Sequence, residues 1–153
     1  MATSVRPAQA SQLAMAKTGR ATVILLAVLG VMALAGGVAL VSKPDGSVMK
    51  LPLSYLAGSP FSDFLIPGLI LGGLFGVGSF ATAFLCWRRV SLSPYLAFAI
   101  GCGQMIWISV ELAVIKEFSP LHPICFGMGL GIAACSAAWG WPGFREWRAS
   151  RRS

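Results

Sequence analysis

Glu111, Gln104, Asp63 and His122 are the side chains in this 153-residue chain whose types and spacing could do chemistry. Glu111 lies within a long apolar run, where an ionisable group is costly enough to flag a functional site. Gln104 precedes it by two helical turns, so both share one helix face with Gly101 and Ile108. That face would turn toward a bundle interior or a partner rather than toward lipid. Asp63 opens another apolar run, and His122 stands in the short connection Ser119-Pro120-Leu121-His122-Pro123. Gathered at one end of a bundle, the four would make a polar site able to hold a proton or a small cationic solute. Each also has a structural reading. Asp63 would cap free amides at a helix start and meet the positive end of the helix dipole. Glu111 precedes the last apolar residue, Ile115, by a rise of about 6 Å, shallow enough to reach the interface or to pair with Lys116. A loop histidine faces solvent, where its imidazole is a conceivable pH sensor.

The elements that must position these groups are plain. The chain is 56% apolar and 11% charged, with a mean hydropathy of +0.76, which leaves little for a soluble domain. Apolar runs at 21–41, 64–87, 94–115 and 121–141 each approach the roughly 20 residues that a helix needs to cross about 30 Å of hydrocarbon. Backbone polar groups in lipid must bond within their own segment, and no alternating strand pattern is present. The expectation is an all-α, four-helix transmembrane bundle at 21–141, an N-terminal tail at 1–20 and a basic C-terminal tail at 142–153. Between the first two spans, Pro44-Asp45-Gly46-Ser47 has turn chemistry, and 51–58 reads as a short extracytoplasmic interfacial helix.

Charge is segregated along this pattern. Nine of the 12 Lys and Arg residues (Arg6, Lys17, Arg20, Arg88, Arg89, Arg145, Arg148, Arg151 and Arg152) flank the first, second and fourth spans on one side, with Glu146 as the only acid. Lys43, Lys50 and Lys116 share the other side with the remaining acids. The positive-inside rule then puts both termini in the cytoplasm of a cell inner membrane. Topology accounts for the basic excess without nucleic acid, and the Arg-rich end with Trp139, Trp141 and Trp147 fits an interfacial anchor. The run at 21–41 is too long for a cleaved signal core and reads as a retained span.

Two spans carry small-residue spacing. Gly68, Gly72 and Gly76 recur every fourth residue in the second, and in the fourth Gly127, Gly131 and Cys135 form one small stripe with Gly129, Ala133 and Ala137 as another. Such spacing lets helices approach closely in lipid, within the chain or against another copy. The first span has no comparable mark and reads as an apolar anchor. Cys86, Cys102, Cys125 and Cys135 form no Cys-x-x-Cys pair, so they read as packing groups rather than metal ligands or a redox pair. No phosphate loop, dinucleotide fingerprint or nucleophile triad occurs. Neither cofactor nor metal is expected, and the chain is not expected to be an enzyme.

The turn Pro44-Asp45-Gly46-Ser47, the entry Ser59-Pro60-Phe61-Ser62-Asp63-Phe64-Leu65-Ile66-Pro67-Gly68 and the segment Phe118-Ser119-Pro120-Leu121-His122-Pro123 together resemble a group of small bacterial four-span membrane proteins of unassigned function. The resemblance covers residues 22–140. It implies the four-span architecture and a short surface helix after the first turn, and brings no activity. His122 stands where the resemblance implies glutamine. The function expected is that of an accessory or self-associating membrane protein with the bilayer, another copy or a membrane protein as partner. The alternative is a small-solute or proton-coupled transporter using Glu111 and Gln104 with Asp63. An outer-face enzyme acting on lipid or quinone, built from Asp63, Glu111 and His122, is the remote third reading.

Overall fold

The computed structural model describes the backbone at residues 7–115 and 119–150 and the side chains at 17–115 and 119–140. Helix α1 runs from Pro7–Ser42, well before the first apolar residue of the span. The second span is composite: α2 (Leu65–Leu69), a π-helical segment (Ile70–Val77) and α3 (Gly78–Trp87) follow one another without a break. Helices α4 (Ser93–Ile115) and α5 (Leu121–Ser150) complete an all-α chain, with no strand among the described residues. Four helices are long and apolar enough to cross a membrane: Lys17–Ser42, Leu65–Trp87, Ser93–Ile115 and Leu121–Gly140. That is the architecture of a multi-pass membrane protein. Helix occupies much of both expected tails, from Pro7 at one end and through Ser150 at the other. Lys116, and the side chains of Trp141, Trp147 and the Arg145–Arg152 anchor, lie outside the described residues.

The spans alternate in direction. Gly30 faces Phe80 while Gly37 faces Gly72, so α1 and the second span are antiparallel. Phe75 meets Trp107 and Cys86 reaches the Ser93 carbonyl, so α4 runs back again. Gly101 against Gly129 sets α5 opposite to α4. Both ends of the chain therefore emerge on one face, called the terminal face here, and the connections after α1 and α4 form the distal face.

Helix α1 is the centre of packing, since it touches the whole second span and α5. A methyl group on Gly37 would lie 2.5 Å from the Gly72 Cα, a backbone-to-backbone approach that only glycine permits. Gly68 packs under Leu40 and Gly76 against Leu34, so the stripe Gly68, Gly72, Gly76 is consumed by α1. The π segment explains how. Residues four apart overshoot a 3.6-residue turn, whereas the wider i→i+5 winding undershoots it, and the two windings in succession keep all three glycines on one line. Of the two small stripes of the fourth span, the close approach is made by Gly129 and Ala133 on Gly101 of α4, while in the other Gly131 only touches Leu25 of α1 and Gly127 meets nothing within 4 Å.

Leu26, Leu29, Ala83, Cys86, Ala97 and Ile132 form the core where all four spans meet. A second cluster, Leu40, Leu56 and Phe64, closes the distal face over the first connection. There Asp45 accepts a 3.0 Å bond from the Ser47 N–H and Gly46 takes φ +79°, while the Phe64 N–H donates to the Pro44 carbonyl at 2.9 Å. The short helix between the first two spans is a single 3-10 turn, Leu53–Leu56, with Leu56 buried. All four cysteines are free thiols.

Candidate functional site

The polar face of α4 is held against α5 by the loss of side chains between them. Methyl groups at Gly101 and Gly129 would lie 2.7 Å and 2.9 Å from each other's carbonyl oxygens, so the two backbones nearly touch. One turn further along α4, Gln104 lies over Gly129, its Cβ 3.2 Å from where a Gly129 methyl would be. Gln104 is 2% exposed and stands at the middle of its span. Its Oε1 is buried with no hydrogen-bond partner. Ile108 continues the buried line, and Glu111, two turns beyond Gln104, is half-buried near the distal end.

Helix α5 supplies the partner. The Glu111 carboxyl interacts electrostatically with the His122 imidazole from the first turn of α5, and with the Cys125 thiol one turn later. His122 is 8% exposed, not the solvent-facing loop residue of the plain reading. Its burial follows from the way α5 begins. The Leu121 N–H donates to the Ser119 hydroxyl at 3.4 Å, and the Ser119 N–H donates back to His122 Nδ1 at 3.0 Å. Ser119 is thus the helix cap, Pro120 takes the first position where its missing N–H costs nothing, and His122 occupies the third. This is a reciprocal capping box with histidine in the place usually filled by glutamate or glutamine. A glutamine at this position, as the resemblance implied, would make the same bond.

Asp63 has a different task. Its Oδ1 accepts the Leu65 N–H, the first amide of α2, at 3.0 Å. His122 is the charged group that acts on Glu111 among the described residues, and Asp63 does not enter that interaction. Of the four residues singled out, then, Glu111 and His122 lie within electrostatic reach of each other, Gln104 shares the α4 face with Glu111, and Asp63 is spent on a helix start. The described residues include no group of three His, Cys, Asp or Glu able to hold a metal. No protein-family model, curated protein or solved structure matches the chain.

One further buried oxygen lies in the interior. Ser79, fully buried on α3, has an unpartnered Oγ. Thr22, Ser42, Ser109 and Ser136 each donate to the carbonyl four residues back, the ordinary fate of a hydroxyl in a spanning helix. Ser79 does not, and its fourth residue back, Phe75, lies inside the π segment where the carbonyls are turned. Nothing in the local composition marks that widening except its three glycines. Ser119 was legible, because Ser-Pro-x-His has capping-box spacing once histidine is admitted as an acceptor.

Proposed function

We propose that this protein is a multi-pass protein of the cytoplasmic membrane that takes up a proton or a small cationic solute at its distal face through Glu111 and His122. In this reading both termini are cytoplasmic and the distal face is extracytoplasmic, a direction that the segregation of Arg and Lys supports. The observation that carries the proposal is that the α4 carboxyl lies within electrostatic reach of the α5 imidazole at the end of a polar helix face. An ionisable residue within a span is expensive to maintain without a use. Gln104, two turns deeper with an unpartnered oxygen, supplies the next acceptor along the same face. The test is proteoliposomes loaded with a pH-sensitive dye and challenged with Na+, K+ or tetraphenylphosphonium. A cation-driven pH change in the wild type that Glu111→Gln abolishes is expected. A wild type that responds to none of the three, or a response that Glu111→Gln leaves intact, refutes it.

A second reading, an accessory or self-associating protein, is favoured by one observation. Gly73 and Gly127 are exposed and meet nothing within 4 Å, so they offer bare backbone to a neighbouring helix. Gly72 and Gly131 face α1 and cannot report on such contacts. Gly73→Leu and Gly127→Leu leave the internal packing alone. Unchanged particle mass in detergent and unchanged cross-linking in both variants would rule this reading out.

A further inference from the structure

The start of α5 is built on an acceptor that a proton abolishes. His122 Nδ1 receives the Ser119 N–H at 3.0 Å, which requires that nitrogen to carry a lone pair and places the ring proton of the neutral form on Nε2. The Ser119 carbonyl lies 3.2 Å from the same nitrogen and already accepts the His122 backbone N–H at 3.0 Å. Protonation therefore inverts the contact. A protonated Nδ1 cannot accept from the Ser119 N–H, and its new proton points instead at the Ser119 carbonyl. The two protonation states thus make different bonds to Ser119: the neutral ring accepts its N–H, and the cation donates to its carbonyl. Glutamate or glutamine at this position caps the helix in one state only.

We propose that His122 is a proton-operated latch on the distal start of α5, which accepts the Ser119 N–H when neutral and loses that bond when protonated. The latch rests on this capping geometry and needs no transported solute. The titratable groups at this corner are Glu111 from α4 and Cys125 from α5. Lys116 and Glu117 of the connection lie outside the described residues. What loosens on release is the first turn of α5, so acidity at the distal face would fray that turn and neutrality would hold it.

The chain contains one histidine, so histidine labelled with nitrogen-15 reports a single ring. The experiment uses the full-length protein in lipid nanodiscs, followed by NMR from pH 8 to pH 4.5. The neutral ring should carry its proton on Nε2. The Ser119 amide should shift in step with titration of the ring, and hydrogen-exchange protection of the Leu121 and His122 amides, corrected for intrinsic exchange, should fall at least tenfold over the same interval. His122→Gln should keep full protection at every pH, since it caps without titrating, and it guards against the trivial case of a variant that fails to fold. A neutral ring protonated on Nδ1, a ring that does not titrate in this interval, a ring that titrates without loss of protection, or the same pH-dependent loss in His122→Gln would each overturn the latch. The two proposals fail separately. A working latch in a protein without cation response removes only the uptake reading, and a cation response with no loss of protection removes only the latch.

Discussion

Replacing Gly37 and Gly72 one at a time by alanine should give stability changes of opposite sign, although the two glycines face each other. The methyl group of Gly37→Ala would lie 2.5 Å from both Cα and N of Gly72 and 2.8 Å from the Gly68 carbonyl oxygen, all backbone atoms that no rotamer change removes. Carbon contacts relax to about 3.5–4.0 Å, so α1 and the second span must part by about 1 Å. A gap of that size forfeits a quarter to a half of each atom-pair well of about 0.1–0.2 kcal/mol. Over roughly 30 such pairs along the seam from Gly30–Phe80 to Leu40–Gly68, the loss is about 1–2 kcal/mol. Residual overpacking at the contact adds about 1 kcal/mol, and the better helix propensity of alanine returns about 1 kcal/mol. The net destabilisation is about 1–2 kcal/mol. The methyl of Gly72→Ala meets the Gly37 Cα at 3.4 Å, an ordinary contact, so that variant keeps the seam and retains a propensity gain of about 0.5–1 kcal/mol. At about 2–4 °C per kcal/mol for a chain of this size, thermal unfolding in detergent followed by helical circular dichroism should fall by about 2–8 °C for Gly37→Ala and rise by about 1–4 °C for Gly72→Ala. A Gly37→Ala protein as stable as wild type would refute the claim that this seam is backbone against backbone.

The buried oxygens make a second prediction. Gln104→Met and Ser79→Ala each remove an unpartnered buried acceptor and should be neutral or stabilise by up to about 1 kcal/mol, whereas a loss beyond that in thermal unfolding would mean the oxygen is satisfied in the folded protein. Ser119→Ala deletes the hydroxyl that accepts the Leu121 N–H and should cost about 1 kcal/mol, read as faster exchange confined to the first turn of α5. At the first connection, the Ser47 N–H bonded to Asp45 holds that carboxyl below its ordinary range. A depressed carboxylate contributes stability above the unfolded pKa and loses it as pH falls through the folded one, so protection of the Ser47 amide should be constant above about pH 4 and lost below it. In Asp45→Asn the same amide should show no such acid transition.

The sequence discloses some parts of this molecule and hides others for physical reasons. Span number and helical class follow from the length of apolar runs, a property of each segment alone, and the four candidate spans begin or end within a few residues of those runs. The shared face of Gln104 and Glu111 follows from helical period, again a local property. Which helix receives a glycine stripe is not local. Gly68, Gly72 and Gly76 were visible, but their receiver is decided by Gly37, one of a Gly-Gly pair in a span that otherwise reads as featureless. An apolar helix needs no special composition to be central, because in lipid its neighbours are selected by fit rather than by hydrophobicity. The π segment is hidden for a related reason: four-residue glycine spacing suits an α-helix that drifts as well as a widened one that does not, and only the approach of α1 distinguishes them. His122 shows the limit most sharply. Read as a loop residue it faces water; bonded to the serine cap at the start of α5, it is buried and within electrostatic reach of Glu111. The bonds at a helix start thus decide whether the one imidazole in the chain is a solvent group or part of a helix cap.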